Sequence, residues 1–205
     1  MKHVVSALSL TLGLLVPALA SAQELGRKGD AVFSVDRLMG VTGTKRDEEF
    51  VPATQDYTSI SFGWRGELTT PFDVPRLSFD YLPIEHLSIG GSLGYVSIDG
   101  ENAGDYEAFL IAPRVGYAYA FGRVVGIWPR GGFTYHTQSP GNVTEKGFAL
   151  SLECPFTFSP ATHFAFHVGP SFDIDMFGSV KPGNLDKHDV TYRTFGVNAG
   201  LLGWF

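Results

Sequence analysis

Residues 191–205 read TYRTFGVNAGLLGWF, and in steps of two from the carboxyl end they separate into two faces. Phe205, Gly203, Leu201, Ala199, Val197 and Phe195 make one face, which is apolar; Trp204, Leu202, Gly200, Asn198 and Gly196 make the other, which is mixed. A period of two is that of a β-strand with different surroundings on its two sides. Terminal residues ordinarily fray unless the fold ties them down, so a patterned, aromatic end predicts a strand that closes a sheet.

The amino end has another character. Lys2 and His3 precede an apolar run from Val4 to Leu19, and Ala20-Ser21-Ala22 has the small-x-small form cut by signal peptidase. Residues 1–22 are expected to be a cleaved signal peptide, with a single domain at 23–205. As a membrane anchor the run is too short, and Pro17 interrupts it. Nothing later approaches the roughly 20 consecutive apolar residues of a membrane helix. The 25 glycines and 14% aromatic residues suit a twisted all-β domain better than a helical bundle. A formal charge of −6 argues against a nucleic-acid partner. Cys154 is the single cysteine, so no intrachain disulfide is expected, and it reads as a small hydrophobe on an apolar face.

Between the ends the chain reads as a meander. The first strand runs from Ala31 to about Gly43, and Arg37 breaks its alternation. An arginine facing lipid there would cost roughly 2 to 4 kcal/mol, so a bulge or a snorkelling side chain is expected. KRDEEFVPATQD, residues 45–56, reads as loop. Both 57–66 and 76–82 look like strands, but a barrel with both ends on one side needs an even number. Counting back from Phe205 leaves one too many, so 57–66 is assigned to an extended first extracellular loop, as a protruding hairpin. Further strands follow around Leu87, Phe109, Val125, Phe148 and Phe164, with short turns at Pro83–His86, Gly122-Arg123 and Ser159–Thr162. The opposite ends carry the longer expected loops 44–75, 99–106, 137–146 and 177–190.

A soluble lipocalin-like barrel alternates too, with its large apolar face around a ligand and its polar face in water. Here the second face is Gly, Ala and Ser, as in Ser88, Gly90, Ser92 and Gly94, with few Lys or Glu. That suits a narrow interior rather than a solvated exterior, and places the Phe, Leu, Val and Tyr side chains against lipid. The expected fold is therefore all-β, an eight-stranded antiparallel up-and-down transmembrane β-barrel with short periplasmic turns and longer extracellular loops.

The signal peptide, meander, loop asymmetry and terminal Phe205 together resemble the small OmpA-like and OmpX-like bacterial outer-membrane barrels. The resemblance implies location in the cell outer membrane among its lipids and lipopolysaccharide. It also implies that Phe205, with Leu201 and Val197 on the same face, belongs to the signal read by the outer-membrane assembly machinery. Gly203 departs from the pattern, since many such barrels carry a large aromatic residue two before the end.

Counting up from the turns sets Asp36, Arg114, Arg130, Glu153 and His167 at one height, with Arg76 and Asp80 bracketing it from a neighbouring strand. Hairpin pairing about 159–161 places Glu153 opposite His167. Mixed charges at one height in a lumen only wide enough for side chains predict a mutually paired, structural network. No catalytic, cofactor or metal site is expected. His167 and Ser171 lie four residues apart on a strand, roughly 13 Å, too far for a nucleophile and base; His136 and Ser139 match no catalytic motif. The function classes are a structural or surface-interaction protein with an unidentified extracellular partner, a narrow channel for small solutes, and a lipid A-modifying enzyme. The first is favoured.

Overall fold

The computed structural model describes residues 25–51, 53–66, 70–98, 106–183 and 186–205. The expected signal peptide and most of the expected loop at 99–106 lie outside them. The strand segments are β1 (Ala31–Glu48), β2 (Gln55–Phe62), β3 (Arg65–Gly66), β4 (Arg76–Tyr81), β5 (Leu87–Ile98), β6 (Tyr106–Tyr117) and β7 (Tyr119–Ala120). They continue as β8 (Val125–Ile127), β9 (Arg130–Pro140), β10 (Val143–Glu153), β11 (Phe156–Ala161), β12 (Phe164–Pro182) and β13 (His188–Trp204). All are joined in one antiparallel sheet, which β13 closes by pairing with both β12 and β1.

The segments make eight wall strands, because several are continuations of one another. β7 prolongs β6, β8 leads into β9, and β11 prolongs β10. The breaks fall beside prolines, which give no N–H to a ladder, and backbone bonds such as Trp128 N to Pro155 O and Tyr117 N to Pro129 O carry the wall across them.

The second wall strand is also in two parts, and here the sequence-based assignment is corrected. Gln55 to Phe62 lie opposite Arg46 to Met39, while Arg76 to Tyr81 lie opposite Asp36 to Ala31. β2 and β4 are thus the upper and lower halves of one strand, and residues 63–75 are a detour between them. Residues 57–62 are wall, with Ser59 and Ser61 buried inward and Ile60 and Phe62 exposed outward. Only β3, paired with Ser61 and Phe62, forms a return hairpin. The even strand count holds because one strand is split, and none is surplus.

β1 is irregular at the same height. Val35 pairs with Leu201 and the next pair is Met39 with Ala199, so three residues of β1 face one of β13. The expected bulge is present, and Arg37 sits in it with φ of 53°. That left-handed conformation is uncommon for a residue with a side chain. It turns Arg37 away from lipid and into the lumen, where it is 1% exposed.

Four further boundaries move. The turn between the sixth and seventh wall strands lies at Thr162-His163, between the paired Ala161 and Phe164, not across Ser159–Thr162. Expected loops 137–146 and 177–190 are largely ladder, since β9 reaches Pro140, β10 starts at Val143, β12 reaches Pro182 and β13 starts at His188. β1 likewise continues to Glu48. Above the lipid both faces of a strand meet water or polar neighbours, so the apolar/polar alternation that marks a strand is lost there.

The outward face is apolar: Phe33, Val41, Leu77, Ile89, Leu93, Val115, Phe166 and Val197 are all exposed. Ser34, Asp36, Ser78, Asp80, Ser88, Thr134 and Asp173 are buried inside. This orientation excludes the lipocalin-like arrangement. At the periplasmic end the lumen is filled by Val32, Leu82, Ala118, Trp128, Ala165, Leu202 and Trp204, and Trp128 Nε1 donates to Ser88 Oγ at 3.0 Å.

Candidate functional site in the barrel lumen

Above this apolar floor lies a layer of charge. Asp36 is its centre, with Arg114 Nη1 at 2.6 Å, Arg130 Nη1 at 3.4 Å and His167 Nε2 at 3.1 Å. Arg114 also holds Asp80 at 2.5 Å, and Arg130 holds Glu153 at 2.7 Å. Ser34 and Ser78 hydroxyls donate to the remaining positions on Asp36. Of the seven residues expected at this height, six are joined by these contacts. Arg76 is the exception: it is buried at 2% exposure, yet pairs with no carboxylate among the described residues.

The expected opposition of Glu153 and His167 is not found. Glu153 pairs with Ser171, and His167 with Thr157. The two-residue turn at Thr162-His163 lengthens both arms and shifts the register. Glu153 and His167 still meet the same layer through Arg130 and Asp36.

Two members were missed. Arg37 donates to Asp173 at 2.8 Å and to Glu153 at 2.9 Å, bridging β12 and β10. Its break in the alternation of β1 was the available signal, and the bulge makes it an inward residue. Asp173 lies on the inner face of β12, where Ser151 also donates to it at 2.5 Å. The residues considered for hydrolytic chemistry do not converge: His167 meets Asp36 at 3.1 Å, and Ser171 accepts from Asn198 at 2.6 Å. His136 faces inward and contacts Asp175 at 2.9 Å, while Ser139, an odd number of steps away, is on the other side of the wall.

The detour at 63–75 supplies the next layer. A single 3-10 turn, Pro71–Asp73, carries Phe72 into the lumen, where it is 0% exposed. Arg37 Nη1 donates to Phe72 O at 2.9 Å, tying the detour to the charged layer. Thr42 and Thr70 donate to the two oxygens of Asp73, at 2.6 and 3.0 Å. The Phe72 ring meets His136 edge-on at 4.9 Å and Tyr192 at 6.5 Å. Above it Arg46 donates to Glu145 at 2.9 Å and to Tyr192 Oη at 3.1 Å, and Gln138 donates to Glu145 at 2.6 Å. Tyr192 donates its hydroxyl proton to Glu145 as well.

Cavities left among the charged residues measure about 20 and 10 Å3, room for about one water each. Of the implied assembly signal, Val197 and Leu201 lie on the outer face of β13, where Leu201 pairs with Val35 and Phe166, and Phe205 follows its last residue, exposed and bonded to Ala31.

At the extracellular rim His188 Nε2 meets Glu48 Oε1 at 2.6 Å, and Arg46 meets the other oxygen at 2.5 Å. The hydrogen bond to Glu48 raises the His188 pKa above its ordinary value. Burial acts to raise Glu48, but the His188 bond and the Arg46 charge outweigh it and hold Glu48 below its ordinary range. The raised histidine contributes stability fully present below about 6.5 and lost as pH rises through its folded value; the depressed carboxylate contributes above about 4.5 and loses as pH falls through its own. The contact is therefore strongest between those limits. Amide exchange at Glu49, which donates to Asp189 O at 3.1 Å, is expected to be slower at pH 5.5 than at pH 9 after correction for intrinsic rates. His188→Ala should remove the difference; a difference that survives it would exclude this pair as the cause.

No protein-family model matches the chain, and no curated protein matches it in sequence. Solved structures do. AlkL, an outer membrane protein determined in lipid bilayers, superposes with a TM-score of 0.56 at 13% identity, over 90% of this chain and 93% of that one. Neisserial surface protein A gives 0.53 at 11% identity over 87% and 98%. OprG, an outer membrane protein of Pseudomonas aeruginosa, gives 0.51 at 13% identity over 89% and 99%. With the closed sheet, the outward apolar belt and the filled polar lumen already described, the chain has the fold of the small OmpA-like and OmpX-like eight-stranded outer-membrane β-barrels.

Proposed function

We propose that this chain is an integral protein of the bacterial outer membrane with a side-chain-filled lumen, and that its role is structural or surface-interacting, exerted at the extracellular end. The observation that carries this reading is the filling of the bore at successive levels: apolar floor, charge layer, Phe72 layer and the Arg46–Glu145–Tyr192 layer. A solute would have to displace buried, paired charges at several heights. The paired extensions of β1, β9, β10, β12 and β13 beyond the lipid belt support a rigid platform for contact outside the cell. Export through a cleaved signal at 1–22 and recognition of Phe205, Leu201 and Val197 by the assembly machinery belong to the same reading, as does a surround of outer-membrane lipid and lipopolysaccharide.

The test is conductance of the refolded domain in planar bilayers, after confirming on an unheated gel that it migrates faster than the boiled form. A folded, silent barrel is the expected result. Reproducible single-channel steps would replace this reading with the narrow-channel one, and a mass change in co-expressed lipid A would replace it with an enzyme.

A further inference from the structure

Four buried polar atoms that find no hydrogen-bond partner, Arg76 Nε, Arg76 Nη2, Ser92 Oγ and Arg130 Nε, belong to residues that line one cavity. Its volume is about 20 Å3, and it lies among β4, β5, β6, β9 and β10. Arg76, Ser92 and Arg130 are 2, 3 and 5% exposed. On the wall side Pro113 has no N–H to offer, and Gly132 approaches so closely that a Cβ there would lie 2.1 Å from Pro113 O. Buried polar groups are nearly always partnered, so donors from three strands that converge unpartnered on one small space point to a ligand.

We infer that this cavity binds a small monovalent anion of the chloride class. The unmet nitrogens are all N–H donors. A water would accept at most two of them and must then place two protons of its own. Glu153, the carboxylate lining the cavity, already takes Arg37 on one oxygen and Arg130 on the other. A halide accepts from every donor and brings the negative charge that Arg76 lacks. The surrounding carboxylates are committed elsewhere: Asp36 and Asp80 to Arg114, Asp173 to Arg37. Size sets the upper limit, because a space of about 20 Å3 takes one monatomic ion and excludes sulfate or phosphate. The site lies below the Phe72 layer and is independent of any partner outside the cell.

Bromide is the probe. Crystals of the detergent-purified protein grown in bromide are expected to show an anomalous peak between Arg76, Ser92 and Arg130. Peaks only at the protein surface, or no peak in the cavity, overturn the assignment in favour of water. In solution, replacing gluconate by chloride at constant ionic strength raises the unfolding midpoint of the wild type, as binding to the folded state alone requires. Arg76→Gln is expected to weaken the anion at least tenfold and flatten that dependence; an equal chloride response in both proteins overturns the site. Should Arg76→Gln fail to fold, the anomalous measurement on the wild type decides.

Discussion

Arg37→Met is expected to lower the stability of the barrel by about 3 to 5 kcal/mol, the effect of breaking a buried ion pair on one side only. Arg37 is 1% exposed and holds Asp173 and Glu153 at once. Methionine fills much of its volume but leaves the buried Asp173 without its cation and Glu153 with Arg130 alone at close range, and it releases the carbonyl of Phe72. Urea titration of the refolded protein in detergent, read by the fraction of fast-migrating band, measures the loss. Arg76→Met is the contrast. That guanidinium is as deeply buried but makes no ion pair with a carboxylate among the described residues, so its removal breaks no carboxylate pair and should cost far less. Adding Asp173→Asn to Arg37→Met removes the carboxylate left without a cation, while Glu153 keeps Arg130, and should recover most of the stability. Equal costs at Arg37 and Arg76 would mean that burial, and not pairing, governs the layer.

Phe72→Ala should destabilise by about 3 to 5 kcal/mol as a buried aromatic deletion, and yet leave the refolded barrel electrically silent. The detour seals the lumen above the charged layer, but Trp128 and Trp204 fill it below, both 0% exposed. Serial seals act independently: a bore opens only when each one is breached. Trp128→Ala alone should likewise pass no current, because Asp36, Arg114, Arg130 and Glu153 still close the middle. Steady current from either single variant would show that the remaining layers are too mobile to seal, and with it the account of the lumen as a solid core would fail.

How much of this could be read in the sequence depended on whether a residue's neighbours differ on the two sides of the wall. Where lipid lies on one side and packed side chains on the other, as along Phe195 to Phe205 or Leu77 to Tyr81, period two was plain and inside and outside were assigned correctly. Above the lipid the contrast vanishes, so Thr137, Gln138 and Lys146 read as loop although β9 and β10 run through them. Residues 57–62 failed for another reason: the pattern was seen but set aside to save the strand count, since nothing local says that one wall strand can be split by an inward detour. The charge layer was legible from heights above the turns, which tolerate an error of a residue or two. Direct opposition does not tolerate it, and moving one turn to Thr162-His163 separated Glu153 from His167. Arg37 was flagged as an anomaly, but a bulge changes which face a residue occupies, and spacing alone gives no sign of how many residues it absorbs.

The seam between β1 and β13 bears on how the chain reaches this state. Its pairs run from Val32 with Trp204 to Glu48 with Val190, and Ala31 and Phe205 exchange both backbone bonds, at 3.0 and 3.1 Å. The partners are the first and last strands, so these contacts span nearly the whole sequence, and such non-local pairing is the slowest kind to form. A ribosome delivers the closing strand last. Until it arrives, the growing sheet carries two unpaired edges that invite pairing with another chain, and a translation product stopped short of residue 191 would keep them permanently. The strand that finishes the wall is thus the last of the thirteen segments to be made, and an incomplete copy keeps a gap that no other described segment of the chain is placed to close.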